Sequence, residues 1–351
     1  MFKKPKLMCL IFVGLQLSLI SFLATVGWCQ TPSTQVIKWR LQGIHAQGDI
    51  IFATVQETCD LIKKMSQGRR EITPSPSGQI VPAGEVANAL NKGVFEMTES
   101  YGGYFAGIVG EIANIESGPL GVYLNPQDFE ALYYEMGWLK SIQDAYSKKN
   151  FYFLGVAYDV ADTIFSVKKP IDKVEKLKNL KFRSSGMTAK SLSAAGAKVV
   201  FLPFEECFSA AQAGTIDALE WGNLTMMVSH GFHEVTKYWT MPGLGKVHCA
   251  PNFVVNLDTW KKLPDDLKYI VESAFRRSSI TQYARLQYSD VLALEKAKKA
   301  GVKIAWWDQN EQEKWTKTCM TVWDDLAKSS PEASKMIQIL KDYCKKTGYI
   351  K

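Results

Sequence analysis

Histidine is scarce in this 351-residue chain, four in all, and the residue patterns that announce cofactor or nucleophile chemistry are missing. No G-x-G-x-x-G or Walker loop follows a predicted strand, which excludes the usual nucleotide-binding turns. G-x-S-x-G and H-E-x-x-H are both absent, so there is no nucleophile elbow and no zincin helix. The seven cysteines show no C-x-x-C spacing, and with so few histidines they form no zinc pattern. His230 and His233 stand three apart on a helical stretch. No third histidine stands at ligand spacing beside them, and they read as solvated or core side chains. No Lys/Arg-rich run and no basic patch interleaved with aromatics occurs, which removes the footprint of a nucleic-acid binder.

What is present describes a folded, exported protein. Hydrophobic residues make up 46% and charged residues 22%, a globular balance. Single cores stop growing near roughly 250–300 residues, so this length predicts two domains. Ten tryptophans suggest aromatic walls somewhere in the fold. Lys3, Lys4 and Lys6 precede an almost uncharged run from Leu7 to Trp28, with polar Gln30, Thr31, Pro32 and Ser33 after it. That is the layout of a secretory signal peptide over residues 1–30. A retained membrane anchor is the alternative, weakened by Gln16, Ser18, Ser21 and Gly27 within the run. Trp28 before Cys29 argues against lipid modification, which needs a small residue there. Without the three lysines the net charge falls from +7 to +4, and no second apolar run of about 18 residues follows. Five cysteines remain: Cys59, Cys207, Cys249, Cys319 and Cys344. An odd number leaves at least one thiol free. Cys319 with Cys344 is a candidate pair, and most of the five read as small core residues.

Hydrophobic periodicity alternates between strand and helix. Residues 35–44 predict a strand, 49–65 a helix, 69–74 a strand and 75–78 a turn. A helix over 84–91 ends near Gly93, and 94–97 predicts a strand. A second pass gives strands at 151–156, 163–167, 180–184, 199–202 and 215–218. Helices fall at 174–177, 189–195 and 203–213. Such alternation predicts an α/β fold with largely parallel sheets. The two passes echo each other, because the run Ala89–Glu96 parallels Ala210–Asp217 as helix, glycine, apolar strand and acid. Three residues on, Glu99 corresponds to Glu220. Two similar lobes would then face each other with strand C-termini pointing into the gap, where α/β sheets bind ligands. From Asp265 to about Lys299 a long helix carries apolar residues on more than one face, so it must pack on both lobes or on a second subunit. A strand at 302–306 and helices at 311–328 and 331–345 complete the chain.

The run Leu180-Lys181-Phe182-Arg183-Ser184-Ser185-Gly186 resembles the substrate-binding proteins of tripartite ATP-independent periplasmic (TRAP) transporters. Their second-lobe strand carries an arginine in a Leu-Lys-x-Arg-x-x-Gly setting. The likeness continues through Gly196, Leu202-Pro203-Phe204 and Ala211-Gln212-x-Gly214-x-Ile216-Asp217 to Val255-Asn256-x-x-x-Trp260-x-x-Leu263-Pro264. It spans about Trp39 to Leu326, and the pair Glu220-Trp221 narrows it to the binders of 2-oxo acids and lactate. The resemblance implies a two-lobed periplasmic clamshell of the Venus-flytrap kind with a long C-terminal helix. Lobe one would take residues 31–157 with parts of the C-terminal region, lobe two residues 158–260. Residues 261–351 would pack across the lobes or on a second subunit.

The same resemblance implies a site. Arg183 would hold a carboxylate, whose geometry a guanidinium fork matches, although a structural ion pair is the plainer reading. Glu220 and the Trp221 carbonyl would hold a sodium or calcium ion that touches the ligand, and the indole would wall the pocket. Asp162 matches a glutamine that reaches both cation and ligand in similar proteins, and its carboxylate would favour a hard cation. Lys246 falls where metal-binding relatives place a glutamate, so its ammonium could replace the ion. Tyr104 matches a tyrosine that approaches the ligand, with packing as the alternative. The implied function is a periplasmic receptor that captures a small 2-oxo or 2-hydroxy monocarboxylate for TRAP membrane permease subunits, with a homodimer suggested by the long helix. The alternatives are a ligand-presenting sensor subunit, or an enzyme using Asp162 or Glu220 as base.

Overall fold

The computed structural model describes residues 36–118, 121–248 and 250–350. The expected signal peptide, Cys9, Cys29 and Cys249 lie outside the described residues. The chain divides after Val36, and the body from Ile37 onward carries the fold. It opens with β1 (Ile37–Gln42), α1 (Ile50–Met65), β2 (Arg70–Ser75), α2 (Val86–Asn91) and β3 (Met97–Ser100). Short helical turns lead to α3 (Trp138–Ser147) and β4 (Phe151–Val156). Next come β5 (Ile164–Ser166), β6 (Lys181–Arg183), α4 (Gly186–Ala194), β7 (Lys198–Val200) and α5 (Phe204–Ala213). They are followed by β8 (Ala218–Leu219), α6 (Leu224–Ser229), β9 (Tyr238–Met241) and β10 (Asn252–Asn256). The 35-residue α7 (Asp265–Lys299), β11 (Lys303–Trp306), α8 (Gln309–Ala327) and α9 (Pro331–Lys346) close the chain.

The strands form two sheets, in the orders β2-β1-β3-β10-β4 and β11-β9-β5-β8-β6-β7. Each is parallel except for one strand, β10 in the first and β5 in the second. The sheets are thus largely parallel, as expected, with one reversed strand in each. Both reversed strands follow a crossing from one sheet to the other, and so enter from the opposite end. The crossings β4 to β5 and β9 to β10 also mean that residues 158–260 do not stay in one lobe, since β10 completes the first sheet. Conversely, β11 from the tail completes the second.

Two strands start later than the apolar pattern predicts. Val94–Glu96 precedes β3 because the Glu96 side chain accepts the Arg40 backbone N–H (2.6 Å) that a sheet ladder would use. Asp217 does the same before β8, accepting the Lys181 N–H at 2.8 Å.

One face of the first sheet packs Trp39, Leu41, Met97 and Val255 against Val55 and Ile62 of α1 and Leu267, Val271 and Phe275 of α7. In the second lobe Phe165, Leu219 and Trp239 pack with Ala293 and Ala297, from the far end of the same helix. The long helix therefore spans both lobes within one chain, as one of its two expected arrangements required. Tyr269, Ile280, Tyr288, Val291 and Leu292 on it remain exposed. Cys59, Cys207, Cys319 and Cys344 are buried free thiols, so Cys319 and Cys344 are not joined. Among the described residues no helix is long and apolar enough to cross a membrane.

Candidate functional site

Two connecting segments run between the sheets side by side. Asp159 and His248 pair across them, with Asp159 N–H donating to the His248 carbonyl at 2.8 Å. Asp162 N–H donates to the Gly245 carbonyl (3.2 Å), and Leu244 N–H to the Asp162 carbonyl (2.8 Å). The long helix grips the same pair of segments. Ser279 Oγ donates to the Val156 carbonyl (2.5 Å), and Gln282 Nε2 to those of Tyr158 (3.2 Å) and Ala250 (3.3 Å). Gly243 permits this closeness, because at φ +70° a Cβ there would stand 2.1 Å from the Asp162 carbonyl oxygen.

A cavity of about 390 Å³ opens between the sheets. The first lobe lines it with Tyr101, Tyr104 and Asn114, and the second with Arg183, Ser184, Glu220 and Trp221. The connecting segments add Asp159, Asp162 and His248. Arg183, at the C-terminal end of β6, is 1% exposed. Its Nε donates to the Leu202 carbonyl (3.0 Å) and Nη1 to the Glu220 carbonyl (3.1 Å), while Nη2 is buried with no protein partner. The guanidinium lies 4.0 Å from the Trp221 ring centroid. Trp221 in turn stacks on Phe204 at 5.0 Å, and its Nε1 is also unpartnered. Among the described residues Arg183 forms no ion pair, so the plainer reading of it as a structural salt bridge fails. A planar donor fork held rigid by two carbonyls, with its Nη2 nitrogen left over, is arranged to receive an anion.

Glu220 Oε1 accepts from the Ser184 hydroxyl at 2.7 Å. Burial raises its pKa and the charge of Asp162 adds to that, with Arg183 and the Ser184 hydrogen bond opposing. His248 Nδ1 lies 3.3 Å from Asp162 Oδ1. Burial alone would lower the imidazole pKa, but Asp162, Glu220 and Asp159 outweigh it and bring it to about 9. Asp159 accepts from Asn223 Nδ2 at 3.2 Å, and burial together with Asp290 pushes it up to about 7. Behind the first-lobe wall, Glu99 Oε1 meets His45 Nδ1 at 2.6 Å, and His45 Nε2 meets the Tyr101 hydroxyl at 3.2 Å.

Residues 41–330 match the family described as bacterial extracellular solute-binding protein, family 7. The chain belongs to that family. It is also 26% identical over 310 residues to the monocarboxylate 2-oxoacid-binding periplasmic protein of a Nostoc species, a match that covers 87% of this chain and 85% of that protein. The fold is that of TRAP periplasmic solute-binding proteins of known structure. One, from Bordetella bronchiseptica, is a mixed-occupancy dimer with copurified calcium and picolinate in one site and the other site empty. It superimposes with a TM-score of 0.82 at 22% identity, over 90% of this chain and 93% of that one. Another, from Colwellia psychrerythraea, carries calcium and pyruvate, with a TM-score of 0.81 at 22% identity over 88% and 94% of the two chains. This solute-binding protein is thus a two-lobed α/β clamshell, and its family serves transport rather than catalysis.

In this TRAP solute-binding protein the sequence-predicted residues Arg183, Asp162, Glu220, Trp221 and Tyr104 line one cavity. Lys246 does not. It is exposed, between Gly245 and Val247, which line the cavity, so its side chain lies on the opposite side of the segment. The expectation that its ammonium replaces a metal ion is therefore corrected: the side chain of that segment that meets Asp162 is His248, two residues on. His230 caps the end of α6, where its Nδ1 bonds the Met226 carbonyl at 2.9 Å, and takes no part in the site. Asp162, Glu220 and the Trp221 carbonyl would offer a metal ion oxygen donors alone. Calcium needs roughly six to eight oxygens around it. Asp162 faces an imidazole and Glu220 a hydroxyl, and among the described residues no three His, Cys, Asp or Glu side chains gather, so ligand and water oxygens would have to complete an ion's shell. Reading the motif missed His248, Tyr101 and Ser184. The rarity of histidine was the available signal, since two of the four line or back the cavity.

Proposed function

We propose that this chain is an exported, periplasmic receptor that captures a small monocarboxylate, a 2-oxo acid such as pyruvate or a 2-hydroxy acid such as lactate, and delivers it to a TRAP membrane permease. The single observation that carries this reading is the buried Arg183 Nη2, left without a protein partner while Nε and Nη1 are fixed to carbonyls. Supporting it are a cavity walled from both lobes and a relative named as a monocarboxylate 2-oxoacid binder. A ligand touching both lobes stabilises their closed arrangement, and that is the state a permease would recognise. The uncharged N-terminal run supplies the export signal. The exposed apolar residues of α7 offer a face for a second copy, in keeping with the dimeric Bordetella relative.

Titration calorimetry with pyruvate tests the reading. Arg183→Ala should weaken binding by at least roughly 30-fold, as expected when one partner of a buried charged pair is removed. Arg183→Lys keeps the charge but loses the planar fork, and should recover only part of the affinity. Unchanged affinity in a folded Arg183→Ala variant would end the proposal.

A further inference from the structure

Four strands of the second sheet meet the cavity in a row. Their order is β5-β8-β6-β7, with β8, β6 and β7 parallel and β5 reversed. The start of β5 therefore lies beside the C-terminal ends of the other three. Neighbouring strands stand about 4.8 Å apart. Asp162 before β5, Glu220 and Trp221 after β8, Arg183 ending β6 and Phe201 after β7 thus follow one another along the wall. The row runs from acidic to apolar. Arg183 stands in its middle, with its guanidinium 4.0 Å from the Trp221 ring centroid and 5.8 Å from that of Phe201. Beyond Arg183, Met187 of α4 and Val199 of β7 continue the apolar end. The acidic side chains that line the cavity, Asp159, Asp162 and Glu220, all lie at the other end.

We propose that the acid taken here carries an aromatic side chain, an aryl 2-oxo or 2-hydroxy monocarboxylate, and that Phe201 is the residue that selects it. This rests on the receptor reading above and narrows its ligand class. Room is the first reason. The lobes already touch, through Lys190 and Glu111 at 2.8 Å and through the edge-on rings of Tyr101 and Trp221 at 6.4 Å. The cavity that remains, about 390 Å³, lies in the range of roughly 300–1,000 Å³ that holds drug-sized ligands, and a three-carbon acid would leave much of it unfilled. Direction is the second. A carboxylate on Arg183 that sent its side chain toward β8 would desolvate two buried acids, which is costly. Toward β7 the side chain meets Met187, Val199 and Phe201. Phe201 itself is the third, because it is 62% exposed at the cavity edge and a ring laid against it would cover it.

Titration calorimetry on the full mature chain compares lactate with 3-phenyllactate, and pyruvate with phenylpyruvate. Each aryl acid should bind roughly tenfold or more tightly than its short counterpart, the gain expected from burying a ring-sized apolar group. Phe201→Ala changes an exposed side chain and should leave the thermal midpoint of the free protein unmoved. It should weaken 3-phenyllactate roughly 2- to 10-fold, as the loss of an aromatic pair does, and leave lactate within about 2-fold. Phe201→Leu, apolar but without the ring, should recover part of the loss. Aryl acids that bind no more tightly than lactate and pyruvate, or a Phe201→Ala variant that weakens short and aryl acids equally, would overturn the inference and leave the receptor reading standing. Failure of all four acids to bind would instead overturn the receptor reading, and the inference with it.

Discussion

Glu116 lies wholly inside the first lobe, just after the helical turn Ile112–Ile115. Asn252 Nδ2 donates to its Oε1, while Oε2 has no hydrogen-bond partner. Burial pushes its pKa up to about 8, opposed by the nearby Tyr146 hydroxyl and the Asn252 amide. The folded protein thus keeps a proton that the unfolded chain releases near 4.5. Stability from this group is complete below that value and is lost as pH rises toward 8. Within the window the slope is about 1.4 kcal/mol per pH unit. Glu116→Gln should therefore flatten the fall in thermal midpoint between pH 5 and pH 8, measured by calorimetry, and exceed wild type at the alkaline end. Asp159, raised the same way, keeps part of the slope in the variant. Parallel curves would mean that Glu116 ionises normally. At this scale the site was only half legible from sequence. Arg183, Glu220 and Trp221 could be read because each sits in a motif at the C-terminal end of a strand, and Asp162 because the resemblance matched its position. His248 could not, because its place depends on pairing with a segment some 90 residues earlier, set by backbone register rather than by any local pattern.

The internal echo between Ala89–Glu96 and Ala210–Asp217 has a physical content that neither element reveals alone. Glu96 and Asp217 each accept a backbone N–H from the neighbouring strand, delaying the start of β3 and of β8. Three residues further, Glu99 and Glu220 are both buried carboxylates at the strand exits, one facing His45 and the other the binding cavity. The helices α1, α5, α8 and α9 and the long α7 were legible because their apolar spacing runs over many residues, whereas α3 and α6 went unread. Strand starts and the two reversed strands were not, because side chains that cap an edge and crossings between sheets leave no periodic trace. Closure also has an element-scale device. Lys190 of α4 meets Glu111, on the first-lobe segment after β3, at 2.8 Å, and Asn114 Nδ2 donates to the same carboxylate at 2.8 Å. Both side chains are partly exposed, so the pair contributes on the order of 0.2–1 kcal/mol and is weakened by salt. Lys190→Ala should speed ligand release by about 1.4- to 5-fold in stopped-flow displacement, an effect that shrinks at high ionic strength. A salt-independent change, or none, would show that this pair does not help to hold the lobes together.

At the scale of the whole molecule the receptor reading demands two arrangements of the lobes and a ligand that tells them apart. The cavity provides the basis, since Tyr101 and Tyr104 come from one sheet's lobe and Arg183 and Trp221 from the other's, with two hydrogen-bonded segments and α7 as the joints. Moving such an equilibrium from mostly open to mostly closed takes about 5.5 kcal/mol of differential affinity. A rigid, fork-held carboxylate touching both lobes supplies it only if the apo lobes separate. Small-angle scattering should therefore give a radius of gyration of about 20 Å with saturating acid, the value expected for a compact body of this length, and a larger one without it. Ligand at about 100 times its dissociation constant should add roughly 2.7 kcal/mol of stability in the same samples. In Arg183→Ala neither change should occur. The forward scattering also reports mass, so it separates lobe closure from association through the exposed Ile280, Tyr288, Val291 and Leu292. If the radius is the same with and without bound acid while the stability gain is present, the protein binds as a rigid cup, and delivery cannot depend on closure.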